Sequence, residues 1–321
     1  MNSSRSSSNG NDPVLEGVQT GAHVLSLWAA LLGAFCNGHL CRVLCRRTEA
    51  GTKSLRLLAA LAFSDALLSC AIFIAMLYQL GAVRLEWLGQ SVWSCLLLRS
   101  LPGQCFMASS ACLLFGLALD RLLFTRFPMR HLQYNDTRYV GCWSTAGALV
   151  GLLTAGAGLM LRRGRLLRPI CEMTLIYRPE FSRALLLLHL SLVLGILVCS
   201  AGTLRCCSEG RRRKGKKCGC RGNAVVGGSS QPALISQHGI ERRRFAKSQR
   251  IIILLYVSNW VVLTMGVRLL GVLLGEWTPW SLAVVRLANS TGVFANILSN
   301  FLVIYYRNPE IRAQLRKSIR Q

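Results

Sequence analysis

Three features of the sequence predict an all-α membrane protein, a bundle of seven transmembrane helices with a short amphipathic eighth helix. The first is composition: 52% of the 321 residues are hydrophobic and only 16% are charged, where a soluble domain carries roughly 25%. The second is a set of seven long apolar runs, each able to cross a hydrocarbon layer that takes about 20 helical residues. The third is 38 basic against 13 acidic residues, a formal charge of +25, with the basic ones gathered in short clusters between the runs. A nucleic-acid binder would instead set its basic residues within a soluble core pattern, and the apolar content excludes disorder. With no water to satisfy backbone groups, the runs must cross as helices, because they lack the two-residue alternation of barrel strands.

Residues 1–22 are a polar tail. About twenty polar residues precede the first run, which has no small-residue cleavage site, so 23–45 is a span and not a signal peptide. The other spans fall at 55–80, 92–124, 140–161, 183–205, 248–274 and 279–306. The transmembrane domain is therefore 23–306, interrupted by a basic segment at 206–247 whose Gly/Ser-rich middle reads as flexible. Residues 307–321 hold an amphipathic stretch, Pro309 to Ile319, and a short tail. No transporter-like internal repeat is evident.

Lys and Arg set the orientation. One side of the membrane receives 27 of the 38 basic residues and the other 11. Positive charge stays cytoplasmic, which puts the N-terminus outside a multi-pass plasma-membrane protein and the C-terminus inside. Asn2-Ser3-Ser4 is then a glycosylation acceptor on the correct face. Asn135-Asp136-Thr137 falls on the cytoplasmic side and Asn289-Ser290-Thr291 within a span, so neither is an acceptor.

Polar groups at membrane depth are costly and mark function. Asn37, Asp65, Ser110, Asn296 and Asn300 lie mid-span. A single Asn or Ser is usually interhelical glue. Asp65 needs more, since no Lys or Arg lies at its depth; the options are a protonated acid, water, or a small cation held by carboxylate, hydroxyl and amide oxygens. Asn296 and Asn300 are four residues apart and share one helix face. The five His residues, at 23, 39, 131, 189 and 238, are scattered, and no metalloprotease or nucleophile-elbow pattern occurs, so an enzyme is not expected.

Taken in order, these residues resemble a rhodopsin-like (class A) G-protein-coupled receptor over nearly the whole chain. Asn37 matches the marker of the first helix. Leu61-Ala62-Phe63-Ser64-Asp65 is similar to the family's LAxxD, and Asp120-Arg121-Leu122 to its D-R-Y. Phe127-Pro128-Met129-Arg130 is similar to its H-P-L-R turn. Trp143, Trp260 and Asn300 match the markers of helices four, six and seven, and Arg307-Asn308-Pro309-Glu310-Ile311-Arg312 looks like the start of the eighth helix. The resemblance implies a receptor that passes an extracellular signal to heterotrimeric G proteins. It gives Asp120 and Arg121 the role of inner switch and Trp260 that of toggle. It also implies a sodium ion among Asp65, Ser110, Asn296 and Asn300, and a disulfide between Cys95 and Cys171, an outside pair that can oxidise and persist.

The departures are specific. Leu122 replaces the tyrosine of D-R-Y. The N-P-x-x-Y motif becomes Asn300-Phe301-Leu302-Val303-Ile304, and neither helix five nor helix six holds the expected proline. Prolines bend helices, so the usual hinges for ligand-driven opening are missing, and a receptor-like protein without ligand-driven signalling is the alternative. A transporter or channel would need broken helices and several midplane charges, of which only Asp65 is present. Cys206 and Cys207 are candidates for palmitoylation, with plain reduced thiols as the simpler reading.

The outer side carries an excess of arginine. Arg162, Arg163, Arg165, Arg168, Arg178 and Arg183 cluster in the second outer loop region, opposed there by Glu172 and Glu180. Arg99, Arg268 and Arg286 lie near outer helix ends, where the resemblance places a ligand pocket completed by Gly103, Gln104, Met107 and Ser290. The family's amine receptors carry an Asp where this chain has Gly103, so an amine ligand is disfavoured. The arginines either reach lipid headgroups or receive an anionic ligand.

Overall fold

The computed structural model describes residues 13–47, 53–85, 96–127, 131, 133, 135–161, 178–217, 251–259 and 279–319. Helix α1 spans Pro13–Arg47 and α2 Lys53–Leu85; a π-helical turn at Leu96–Ser100 leads into α3, Leu101–Arg126. Then come α4, Asp136–Met160, and α5, Pro179–Lys217. Within the sixth expected span a helical stretch, α6, is described at 251–259. Helix α7 is Pro279–Arg307 and α8 Pro309–Ile319. No strand occurs among the described residues. Among the described residues five helices are long and apolar enough to cross a membrane, at Thr20–Arg46, Lys53–Gly81, Leu96–Arg126, Asp136–Met160 and Arg183–Cys206.

The helix starts are written locally. α1, α5, α7 and α8 each open on a proline, whose missing N–H is not needed at the first helical position. Asn135 caps α4: its side chain accepts from the backbone N–H of Thr137 at 3.0 Å and of Arg138 at 3.3 Å, with Asp136 in the first turn favouring the positive helix end. The discounted sequon therefore has a structural use. Pro102 explains the π turn before it, because its ring cannot donate to the helix and crowds the carbonyl four residues back.

Two helices outrun their expected ends. α1 begins at Pro13 instead of residue 23. α5 continues to Lys217, so the first part of the 206–247 segment is helical. No proline lies between Pro179 and Pro232, and the Arg/Lys run from Arg211 is made of good helix formers.

The main core sits in the half of the bundle that also holds α8. Leu40 and Leu44 of α1, Leu57, Leu58 and Leu61 of α2, Leu114 and Leu117 of α3, Ile196 of α5, Ile252 of α6, Ile304 of α7, and Ile311 and Leu315 of α8 form one buried cluster. A smaller one, Leu96 with Phe181 and Leu185, joins the other ends of α3 and α5. The outward faces stay apolar: Trp28, Phe35, Leu152, Leu153, Leu187 and Leu194 are exposed, a surface that suits acyl chains and not water. Lipid removes most of the hydrophobic drive between helices, so close approach through small residues takes over. A Cβ at Gly116 would stand 2.7 Å from the Trp143 ring, and one at Gly151 would stand 2.5 Å from the Cys105 carbonyl oxygen.

Candidate functional site

The C-terminal end of α3 carries the first polar centre. Asp120 is almost wholly buried, at 1% exposure. The Ser54 Oγ–H of α2 donates to its Oδ2 at 2.5 Å, and His131 Nε2 lies 2.8 Å from its Oδ1. An ionised carboxylate only accepts, so Nε2 carries the proton in that contact. Arg121, the next residue, is half-buried with its Nε enclosed. The segment that brings His131 here is tied to the first turns of α2. Lys53 donates to the His131 carbonyl oxygen and pairs with Asp136 at 3.3 Å, and Arg56 donates to Thr137 Oγ1 at 3.0 Å.

Neither Ser54 nor His131 is named by the motif. Helical spacing could have found Ser54: it lies eleven residues before Asp65, three turns along the same face. His131 lies eleven residues after Asp120 but beyond the end of α3, where no periodicity reaches.

The second centre is at mid-membrane. Asp65 is 5% exposed. The Ser110 hydroxyl lies 2.8 Å from its Oδ1 and 3.0 Å from Ser64 Oγ, and Asn300 Nδ2 donates to Asp65 Oδ2 at 2.6 Å. Three of the expected residues, from α2, α3 and α7, thus meet on one carboxylate. Asn37 does something adjacent: its amide donates to the carbonyl oxygens of Gly33, at 3.1 Å, and Ile297, at 3.0 Å, which ties α1 to α7. Asn296 stands one turn from Asn300 on α7, with its side chain outside the described set. A grouping of three or more His, Cys, Asp or Glu residues is absent among the described residues.

Of the outer candidates, Gly103 and Gln104 are buried on α3 and Met107 is half-buried beside them. Arg99, Arg286 and Ser290 lie on described helices, with side chains outside the described set, and Arg268 and Trp260 lie outside the described residues altogether. The same holds for Asn2, Cys95 and Cys171. Cys206 is a half-buried free thiol near the inner end of α5, and the Cys207 side chain beside it is not among those described.

No curated protein sequence matches the chain. Among solved structures, the crystal structure of squid rhodopsin superposes with a TM-score of 0.71, covering 94% of this chain and 80% of that one at 17% identity, a likeness of fold. The family profile described as serpentine type 7TM GPCR chemoreceptor Srsx matches residues 30–319, nine-tenths of the sequence, and the chain therefore belongs to this family of seven-transmembrane receptors.

Proposed function

We propose that this receptor passes an extracellular chemical signal to a heterotrimeric G protein, with Arg121 as the residue the G protein meets and Asp120 as its restraint. The observation that carries the reading is the burial of the Asp120 carboxylate between Ser54 and His131 beside Arg121. A charge held out of water is costly unless it is partnered, so a carboxylate kept there is a functional candidate. The receptor sits in the plasma membrane with its N-terminus outside, where Asn2 carries a glycan and Cys95 pairs with Cys171. Its agonist is an anion received by the outer arginines.

The cluster at Asp65 suits a sodium ion. Its donor set is one buried carboxylate, the hydroxyls of Ser64 and Ser110, and the Asn300 amide, within 2.6–3.0 Å of one another along the chain of contacts. The carboxylate and the two hydroxyls are hard oxygen ligands with one negative charge between them, and the Asn300 amide, whose Nδ2 faces Asp65, would have to turn its oxygen to an ion. The ion would supply a compensating charge for Asp65; the chain itself supplies the joint between α2, α3 and α7.

The test is a cell-based screen of G-protein activation, with and without candidate ligands, comparing wild type with Arg121→Ala at matched surface expression. Signalling that survives Arg121→Ala unchanged would rule out this role for Arg121.

A further inference from the structure

We infer that α1 and α8 together form a site for one acidic phospholipid, its headgroup phosphates held by Arg42 and Arg46 of α1 and by Arg316 and Lys317 of α8. The inference does not use the G-protein reading. It rests on the orientation proposed above only for which leaflet supplies the lipid.

One face of α1 lays out half of the site. Leu32, Phe35, His39, Arg42 and Arg46 follow one another at steps of three and four residues, the spacing that keeps side chains on one side of a helix. Leu32 and Phe35 are 50% and 60% exposed, and Arg42 and Arg46 are exposed as well. Arg46 closes the apolar span that begins at Thr20. At 1.5 Å per residue, Phe35 stands about 16 Å from Arg46 along the axis, close to the ~15 Å of one leaflet in a ~30 Å core. The stripe thus offers an acyl chain apolar surface for the depth of one leaflet and then two guanidiniums. Arg42 sits about one turn deeper, and its long stem can carry the head to headgroup level.

His39, in the middle of that stripe, identifies the element beside it. Its ring stacks on Phe35 with centroids 5.9 Å apart, and its Nε2 lies 3.4 Å from the carbonyl oxygen of Leu315 on α8. The next two residues of α8 are Arg316 and Lys317, both exposed. Arg316 is steadied from α7: its Nε donates to the Tyr305 hydroxyl at 3.3 Å, a contact that uses Nε and not the two terminal nitrogens. The cations at the end of α8 are therefore set beside the arginine end of the α1 stripe.

Charge then selects the headgroup. Among the described residues, none of the four cations pairs with an acidic side chain. The acid of α8, Glu310, stands seven residues from Lys317, and Glu49, beyond α1, lies outside the described residues. A choline headgroup brings no net charge, and a serine headgroup leaves most of the positive charge unbalanced. A headgroup that carries phosphomonoesters brings several negative charges and takes paired N–H bonds from each guanidinium. Such lipids face the cytoplasm, where basic juxtamembrane clusters gain about 1 kcal/mol per Lys or Arg from them.

The test is native mass spectrometry of the full receptor, titrated in detergent with phosphatidylinositol bisphosphate, phosphatidylserine or phosphatidylcholine. The first should add one molecule roughly tenfold more tightly than either of the others, a difference of about 1.4 kcal/mol. Arg42→Gln with Arg46→Gln, and Arg316→Gln with Lys317→Gln, should each weaken that addition about fivefold or more. Arg211→Gln with Arg212→Gln removes equal charge from the C-terminal end of α5 and should change it less than about twofold. The four side chains of the site are exposed, so the variants should keep the wild-type melting temperature. Equal weakening by all three pairs, or equal affinity for the three lipids, overturns the site and leaves diffuse attraction to a basic protein. Full displacement by soluble inositol trisphosphate at the same concentration overturns the lipid, because the apolar stripe then contributes nothing. A C-terminal epitope stained on intact cells sinks the orientation instead, and the titration still decides the site.

Discussion

Asn300 Nδ2 stands 2.6 Å from Asp65 Oδ2, across 235 residues of chain. The contact closes α7 onto α2, while the Ser110 hydroxyl brings α3 to the other carboxylate oxygen at 2.8 Å. Asn300 occupies the position where the proline motif of helix seven has been lost, and it retains the polar contact although the hinge beside it has gone. The polar contacts between these three helices thus converge on a single carboxylate.

A sodium ion at that joint should stabilise the receptor, since a ligand that binds only the folded state adds roughly 2.7 kcal/mol at a hundredfold excess over its Kd. The melting temperature in detergent should rise by several degrees when sodium replaces choline at constant ionic strength, and Asp65→Asn should abolish the difference. A melting temperature indifferent to sodium in the wild type removes the ion from the account and leaves a purely hydrogen-bonded joint.

At the inner end of α3, loss of the Asp120 charge should release Arg121. Asp120→Asn keeps the shape and can still accept from Ser54, so basal G-protein activation should increase several-fold while surface expression stays within a factor of about two. Equal basal signalling from the two proteins, at matched expression, refutes a restraining role.

Much of this was legible in the residues. Length and apolarity marked the spans, and Asp65, Ser110 and Asn300 could be put on facing helices because three turns of α-helix bring a residue back to the same face. Contacts that depend on a bend of the chain were not. His131 reaches Asp120 from beyond the end of α3, held there by Lys53 from another helix. The extension of α5 to Lys217 was missed for a different reason: a basic run looks the same whether solvated as coil or as helix.

Glycine at the α3–α4 contact makes a stability prediction with its own control. Gly116 faces Trp143 with no room for a Cβ, whereas Gly156 on α4 has nothing within 4 Å of the equivalent position. Overpacking a tight contact costs about 1–3 kcal/mol. Gly116→Val should lower the melting temperature by several degrees and Gly156→Val should not. Equal shifts in the two would mean the cost is that of valine in a helix and owes nothing to Trp143.

The last prediction concerns the charge of the agonist. The charge distribution leads us to expect 11 of the 38 basic residues on the outer side, six of them in the second outer loop region with only Glu172 and Glu180 to oppose them. Arg99, Arg268 and Arg286 are expected near the outer ends of the third, sixth and seventh spans. Gly103 is buried on α3 with Gln104 beside it, and neither is a carboxylate. A cationic ligand would find no counter-charge at Gly103 and a repulsive field above it. A carboxylate or phosphate would gain paired guanidinium hydrogen bonds and a faster encounter. Single replacements of Arg99, Arg268 and Arg286 by Gln should reduce the potency of such an agonist at least tenfold for one or more of them, roughly 1.4 kcal/mol, with surface expression unchanged. An arginine that only reaches lipid headgroups would leave potency untouched. An anionic agonist indifferent to all three replacements, or a cationic agonist, would defeat the prediction.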